Sequence, residues 1–306
     1  MYRIPALAIL GLTLSINAQA TANPATQDLL KTYAFDPGKM PVEEQAKHAQ
    51  DLADLWTRAH ADTEAYLPAL RTLLGKKGNT EILYCDGGML LLDGSPQPAD
   101  KQLGLDSIAK CTLAEMEQPG YFYTLHKASL EGIDTLPLLF RMLSKPEFEV
   151  YDADHNLTLE QDMAFTYPLL VQDADHYFSR IVERLKAEKN TTARQTLLAA
   201  IYYSATRDSE NALNAVADDK SIPPVVRLRA QVFLKRISDM RKIEPGKVYE
   251  WMKQNRFDLS VTNSEADLRT ARQNRMRDIS HDALRELDIY TLLIYQAMSA
   301  NSIKSK

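Results

Sequence analysis

The sequence predicts an all-α protein built from stacked helical hairpins, and three observations carry that expectation. Glycine is scarce, at 11 of 306 residues, while leucine, alanine, glutamate and lysine, which favour helices, are plentiful. Apolar residues recur at three- and four-residue steps along most of the chain, the spacing that places them on one helical face. Helical patterns begin near Thr63, Asp100, Ile133, Asp175 and Ser209, at spacings of 37, 33, 42 and 34 residues. Helical pairs at such a period bury their apolar faces against one another. The alternative for the same helices is an irregular bundle.

Residues 1–20 read as a signal peptide. Arg3 supplies the positive start, Ile4 to Ile16 is apolar and uncharged, and Ala18-Gln19-Ala20 offers the small residues that a signal peptidase accepts. Ala20-Thr21-Ala22 gives a second reading, with the cut after Ala20 or Ala22. The apolar run is thirteen residues long, short of the roughly 20 that cross a bilayer as a helix. A periplasmic or secreted protein, soluble after cleavage, is therefore expected.

Hydrophobic residues at 45% and charged residues at 25% are ordinary globular values and exclude wholesale disorder. Without residues 1–20 the chain carries 35 basic and 41 acidic side chains, a net charge of −6. Residues 221–285 hold 14 Lys/Arg against 8 Asp/Glu, or +6, leaving −12 elsewhere. An acidic exported chain is a poor nucleic-acid binder. The basic segment 227–285 offers a route to an anionic membrane surface, but charge runs are more often solvated helix faces. Cys85 and Cys111 are the only cysteines, and in an oxidising compartment such a pair most simply forms one disulfide.

Taken in order, residues 21–41, with Pro24, Pro37 and Pro41, read as an irregular lead-in. Residues 42–243 form the repeat region. Ala49, Leu52, Ala53, Trp56 and Ala59 mark one helical face, and Tyr66, Leu67, Leu70, Leu73 and Leu74 mark the next helix, ended by Gly75. Thr80–Leu92 and Ala99–Cys111 read as a hairpin turning at Asp93-Gly94-Ser95-Pro96, which brings Cys85 opposite Cys111. Asp86-Gly87-Gly88 within it admits a close neighbour or a local break. Leu67-Pro68-Ala69-Leu70 echoes Leu136-Pro137-Leu138-Leu139. Residues 244–306 change character: a short amphipathic helix with Val248, Trp251 and Met252 precedes a terminal hairpin. Ser264 and Ser280 are its candidate N-caps, and Leu284, Leu287, Tyr290 or Thr291, and Ile294 its buried stripe.

The clearest unit runs from Ser209 to Ile237. Ala212, Leu213 and Val216 line one helix; Pro223 and Pro224 open the second, where a missing N–H costs least; Val226, Ala230, Phe233, Leu234 and Ile237 line its inner face. The string Pro224-Val225-Val226-Arg227, with Ala230 and Leu234 following, resembles the second helix of a HEAT-type repeat. That resemblance implies a HEAT-like α-solenoid with the terminal hairpin as its cap.

Few residues point to chemistry. Asp152, Asp154, Asn156 and Thr158 resemble the start of an EF-hand calcium loop, but Leu157 stands where glycine turns that loop and Met163 where a glutamate closes it. Thr158 and Gln161 fit a capping box equally well. Asp173-Ala174-Asp175-His176 repeats the Asp152–His155 string, but a helix between the two strings holds them too far apart to share a metal. His48, His60, His126 and His281 stand at no ligand spacing, and no G-x-S-x-G, H-E-x-x-H, P-loop or Rossmann pattern occurs. No catalytic residue, metal ligand or cofactor is assigned. The sequence thus favours a non-catalytic envelope binding or scaffold protein that offers a helical groove to a protein or peptide, such as an inhibitor or immunity protein. The alternative is an all-helical extracytoplasmic hydrolase.

Overall fold

The computed structural model describes residues 23–34, 41–111, 119–144, 174–254, 264–275 and 281–304. Among them the chain is helical throughout, with no strand. Residues 1–20, the EF-hand-like stretch 152–159, Asp173 and Ser280 lie outside the described residues. No described helix is long and apolar enough to cross a membrane.

The expected irregular lead-in is partly wrong, because residues 24–32 form a helix, α1 (Pro24–Thr32). Its start signals are present: Pro24 occupies the first turn and the Asn23 side chain accepts from the Ala25 N–H at 3.0 Å. Ala25, Leu29 and the following Tyr33 are buried. The long α2 (Val42–Ala61) passes into α3 (Thr63–Leu74) through Asp62, whose side chain accepts from the Ala65 N–H at 3.1 Å. The inner face of α2 differs from the expected one. His48, Leu55 and Ala59 are buried, with Leu52 and Trp56 partly so, while Ala49 and Ala53 face solvent. The row 48, 52, 55, 59 keeps helical spacing but includes a histidine, which an apolar count passes over.

A five-residue π-helical turn, Leu83–Gly87, runs into α4 (Gly88–Gly94), which packs on α5 (Pro98–Ile108). This is the expected hairpin, and both readings of its glycines hold. The π turn is the break, and the close neighbour is the crossing of Gly88 and Gly104. A Cβ on Gly104 would stand 2.8 Å from the Gly88 carbonyl oxygen, and one on Gly88 would stand 3.0 Å from the Ser107 Cβ. Cys85 and Cys111 flank this crossing at a Cα–Cα separation of 5.5 Å, within disulfide reach.

Then follow α6 (Pro119–Leu130), α7 (Leu136–Leu143), α8 (Ala174–Ala187) and α9 (Thr191–Ser204). The Leu-Pro echo occupies unlike positions: Pro137 opens α7, whereas Pro68 lies inside α3. The chain closes with α10 (Ser209–Asp218), α11 (Pro224–Arg241), α12 (Pro245–Gln254), α13 (Glu265–Arg275) and α14 (His281–Lys304). Helices α8 and α9, α10 and α11, and α13 and α14 pack as sequential pairs, and α14 also reaches back to α11 and α9. Twelve of the fourteen residues of α9 are buried, which makes it the innermost helix described.

Two buried clusters result. One joins α1, α2 and α3 with Leu83 of the π turn and Leu90 and Leu91 of α4; the other takes Cys85, Met89 and Leu92 and runs on through α14. Trp56 packs against both. The C-terminal segment is therefore part of the main core: Val248, Met252, Leu268, Leu287, Tyr290 and Ile294 all belong to the larger cluster. Tyr290 and Thr291, between which the sequence did not choose, are both buried.

Candidate functional site

The N-terminal half carries a chain of polar contacts centred on the π turn. Such a turn widens the backbone by one residue and often accompanies function. Here it brings Asp86 under α1 and α2, where Oδ2 accepts from the Tyr33 hydroxyl at 2.5 Å and the Trp56 Nε1–H at 2.8 Å. Burial raises the Asp86 carboxyl above its ordinary range, and these two bonds and nearby His48 only partly offset that rise. The Tyr33 phenol is pushed up in turn, by burial first and then by Asp86.

One helical turn beyond Trp56, His60 reaches Asp93 at the end of α4, with Nε2 to Oδ2 at 2.8 Å. Its Nδ1 stands 2.8 Å from the Trp56 carbonyl oxygen. Lys127 of α6 donates to the other Asp93 oxygen at 2.5 Å. Burial alone would raise the Asp93 carboxyl, but the bonds from Lys127 and His60 outweigh it and hold the group below its usual value. An acid–histidine contact of this kind resembles a catalytic dyad. A general base needs a ring nitrogen open to the substrate, and both nitrogens of His60 face protein oxygens. The contact therefore fastens α2 to α4 and α6.

The C-terminal half has a second polar network, at the end of α9. Ala205, in the left-handed conformation at φ 49°, stops the helix. Its last carbonyls are taken up by side chains from α13 and α14. The Tyr295 hydroxyl donates to Tyr202 O at 2.9 Å, Arg272 Nη1 to Tyr203 O at 2.6 Å, and Arg269 to Ser204 O at 3.3 Å and Ala205 O at 2.5 Å. Arg272 is 3% exposed, and burial with Arg269 beside it lowers its guanidinium to about 9. The negative end of the α9 dipole supplies its compensation. Nearby, the Tyr202 ring stacks on Phe233 at 4.2 Å, and its hydroxyl donates to Asp288 at 2.8 Å. Asp288 also pairs with Arg236; burial still leaves its carboxyl raised.

A third feature lies on the surface. Of the eight large apolar side chains exposed among the described residues, five (Leu228, Val232, Ile243, Tyr249 and Trp251) fall between positions 228 and 251. Residues 224–254 hold eight Lys/Arg against three Asp/Glu, a net charge of +5. Scattered exposed apolar residues are ordinary, whereas a concentration of them points to a contact surface. Many cations of the basic segment already have partners: Lys235 and Lys242 both meet Asp239, Arg241 meets Glu210, Arg269 meets Glu265, and Arg275 meets Glu286. Each of these cations therefore has a carboxylate partner within the protein.

Among the described residues no group of three or more His, Cys, Asp and Glu side chains is placed to hold a metal. His48 and His126 are buried on α2 and α6, apart from the His60 contact. The contacts that sequence reasoning missed are Trp56–Asp86, His60–Asp93 and Lys127–Asp93, separated by 30, 33 and 34 residues. Arg58–Asp28, Arg71–Asp100, Lys101–Glu131 and Arg241–Glu210 are joined at similar separations of 30, 29, 30 and 31. Compared with protein families, curated proteins and solved structures, the chain matches none.

Proposed function

We propose that this chain is a non-catalytic binding protein of an extracytoplasmic compartment, in which stacked, HEAT-like helical hairpins present a surface to a protein or peptide partner. The observation that carries this reading is the concentration of exposed apolar side chains at 228–251 within a stretch of net charge +5. Tyr and Trp dominate binding hot spots because they bury a large area at small entropic cost, and Tyr249 and Trp251 are both exposed there. Polar ties that recur at 29–34 residues support the stacked arrangement, since each joins one unit to the next. The cysteine pair at disulfide distance is in keeping with an oxidising compartment. The rival hydrolase reading has its best support in Asp86, a carboxyl raised by burial in the manner of a catalytic acid. Against it, Tyr33 and Trp56 claim one oxygen of that group.

The test is a crosslinking pull-down of the mature protein from its native envelope, with partners identified by mass spectrometry. A stoichiometric partner whose crosslinks map to residues 224–254 is expected. A folded protein that yields no reproducible partner would sink the proposal.

A further inference from the structure

Helix α11 has two opposed faces. Val226, Ala230, Phe233 and Ile237 point into the core. The opposite row, Val225, Leu228, Val232, Lys235, Asp239 and Lys242, advances by alternating steps of three and four residues. At about 100° per residue, Leu228 lies roughly 200° round the helix from Val226. Leu228 is 60% and Val232 49% exposed, with Val225 half-buried at their edge. Such a row is the a/d seam by which one helix takes another. The seam is apolar over its first two turns and charged over the last two, where Lys235 and Lys242 share the single carboxylate of Asp239.

From this seam we infer the kind of partner: an amphipathic helix whose apolar stripe covers Leu228 and Val232 and whose next turns carry acidic residues to meet Lys235 and Lys242. The inference rests on the binding reading above and deepens it. Charge selects this occupant, since two lysines stand against one aspartate at the polar end of the seam. A second copy paired through the same face would bring its own lysines in place of the acidic residues that Lys235 and Lys242 call for.

The experiment places a photo-crosslinker at the seam, as Leu228→p-benzoylphenylalanine, and at two exposed positions elsewhere, Leu30 and Tyr123. Each form is irradiated in the native envelope and the crosslinked peptides are sequenced. Adducts are expected from position 228 on an acidic amphipathic segment. Either Val232→Glu or the Lys235→Glu/Lys242→Glu pair should cut their yield about tenfold, and added salt should cut it further. Both changes lie on the solvent face, and circular dichroism confirms the fold. Adducts from position 228 on a second copy, on lipid or on a segment without acidic residues would overturn the inference. So would a yield indifferent to the lysine reversals. Adducts from Leu30 or Tyr123 alone would overturn it while leaving the binding reading intact. Silence at all three positions would remove both.

Discussion

Gly104→Ala tests the tightest contact in the fold. Replacing a helical glycine in α5 with alanine gains about 1 kcal/mol of helix propensity, so propensity alone predicts a more stable protein. The crossing with α4 predicts the reverse. The new methyl would stand 2.8 Å from the Gly88 carbonyl oxygen and 3.1 Å from both the Leu92 N and Cβ. Two of these three neighbours are backbone atoms, which no rotamer change can move, so the helices must part. Overpacking of this sort costs about 1–3 kcal/mol, and rigid neighbours favour the upper end. The net expectation is a loss of about 2 kcal/mol, which lowers Tm by roughly 4–8 °C in a domain of this size class. Gly246→Ala is the control, since a methyl there meets nothing within 4 Å; its Tm should hold or rise slightly. The assay is thermal unfolding followed by circular dichroism, with urea midpoints as a check. A Gly104→Ala protein at or above the parental Tm would show that α4 and α5 do not cross at these glycines.

Other outcomes follow from the same contacts. Asp86→Asn keeps an oxygen to accept from Tyr33 and Trp56 and removes a partly desolvated charge, so its Tm should match or exceed the parent. Asp86→Leu strands the buried Tyr33 hydroxyl and the half-buried Trp56 N–H and should cost about 2–4 kcal/mol; equal losses in the two variants would contradict the placement of Asp86. Closing 26 residues with a disulfide is worth about 3.5 kcal/mol in the chain-entropy account, so reduction should lower the urea midpoint, and an unchanged midpoint would mean the bond is not formed. At alkaline pH, Tyr33, Tyr202 and Tyr295, all raised by burial, keep protons that unfolded tyrosines release near pH 10. The native state then binds more protons and loses stability as pH rises, by up to about 1.4 kcal/mol per pH unit for each. Arg272, lowered to about 9, works in the opposite direction above that value, because there the unfolded chain binds the extra proton. The balance is a fall of about 3 kcal/mol per pH unit above pH 10; urea midpoints that stay level from pH 9 to 11 would refute it.

Those parts of the fold governed by local rules were legible in the sequence. Thr63–Leu74 shows an apolar stripe and a following Gly75, and its helix occupies those residues. Pro223 and Pro224 marked the start of α11, and four of its five expected inner residues are buried. The error at α1 came from weighing three prolines as breakers when Pro24, behind Asn23, is a helix starter. The shifted face of α2 came from counting small alanines as core and leaving out a buried histidine. The polar chain through Asp86, Trp56, His60 and Asp93 could not be read, because its contacts join residues 30 and 33 apart in sequence and form only in the packed helices. The π turn that aims Asp86 inward is a backbone property, and Gly87-Gly88 merely permits it.

The enclosure of α9 bears on the order in which the molecule is made. Its carbonyl end is finished by Arg269, Arg272 and Tyr295, and its flank by Asp288, all from the final 38 residues of the chain. A ribosome therefore delivers the innermost helix long before the segments that close over it. Until the last of them emerges, that helix keeps open carbonyls and bare apolar flanks, and the larger cluster stays unlatched. If residues 1–20 direct export, the chain would be threaded across the membrane in this unfinished state and would set only after its tail had followed it through.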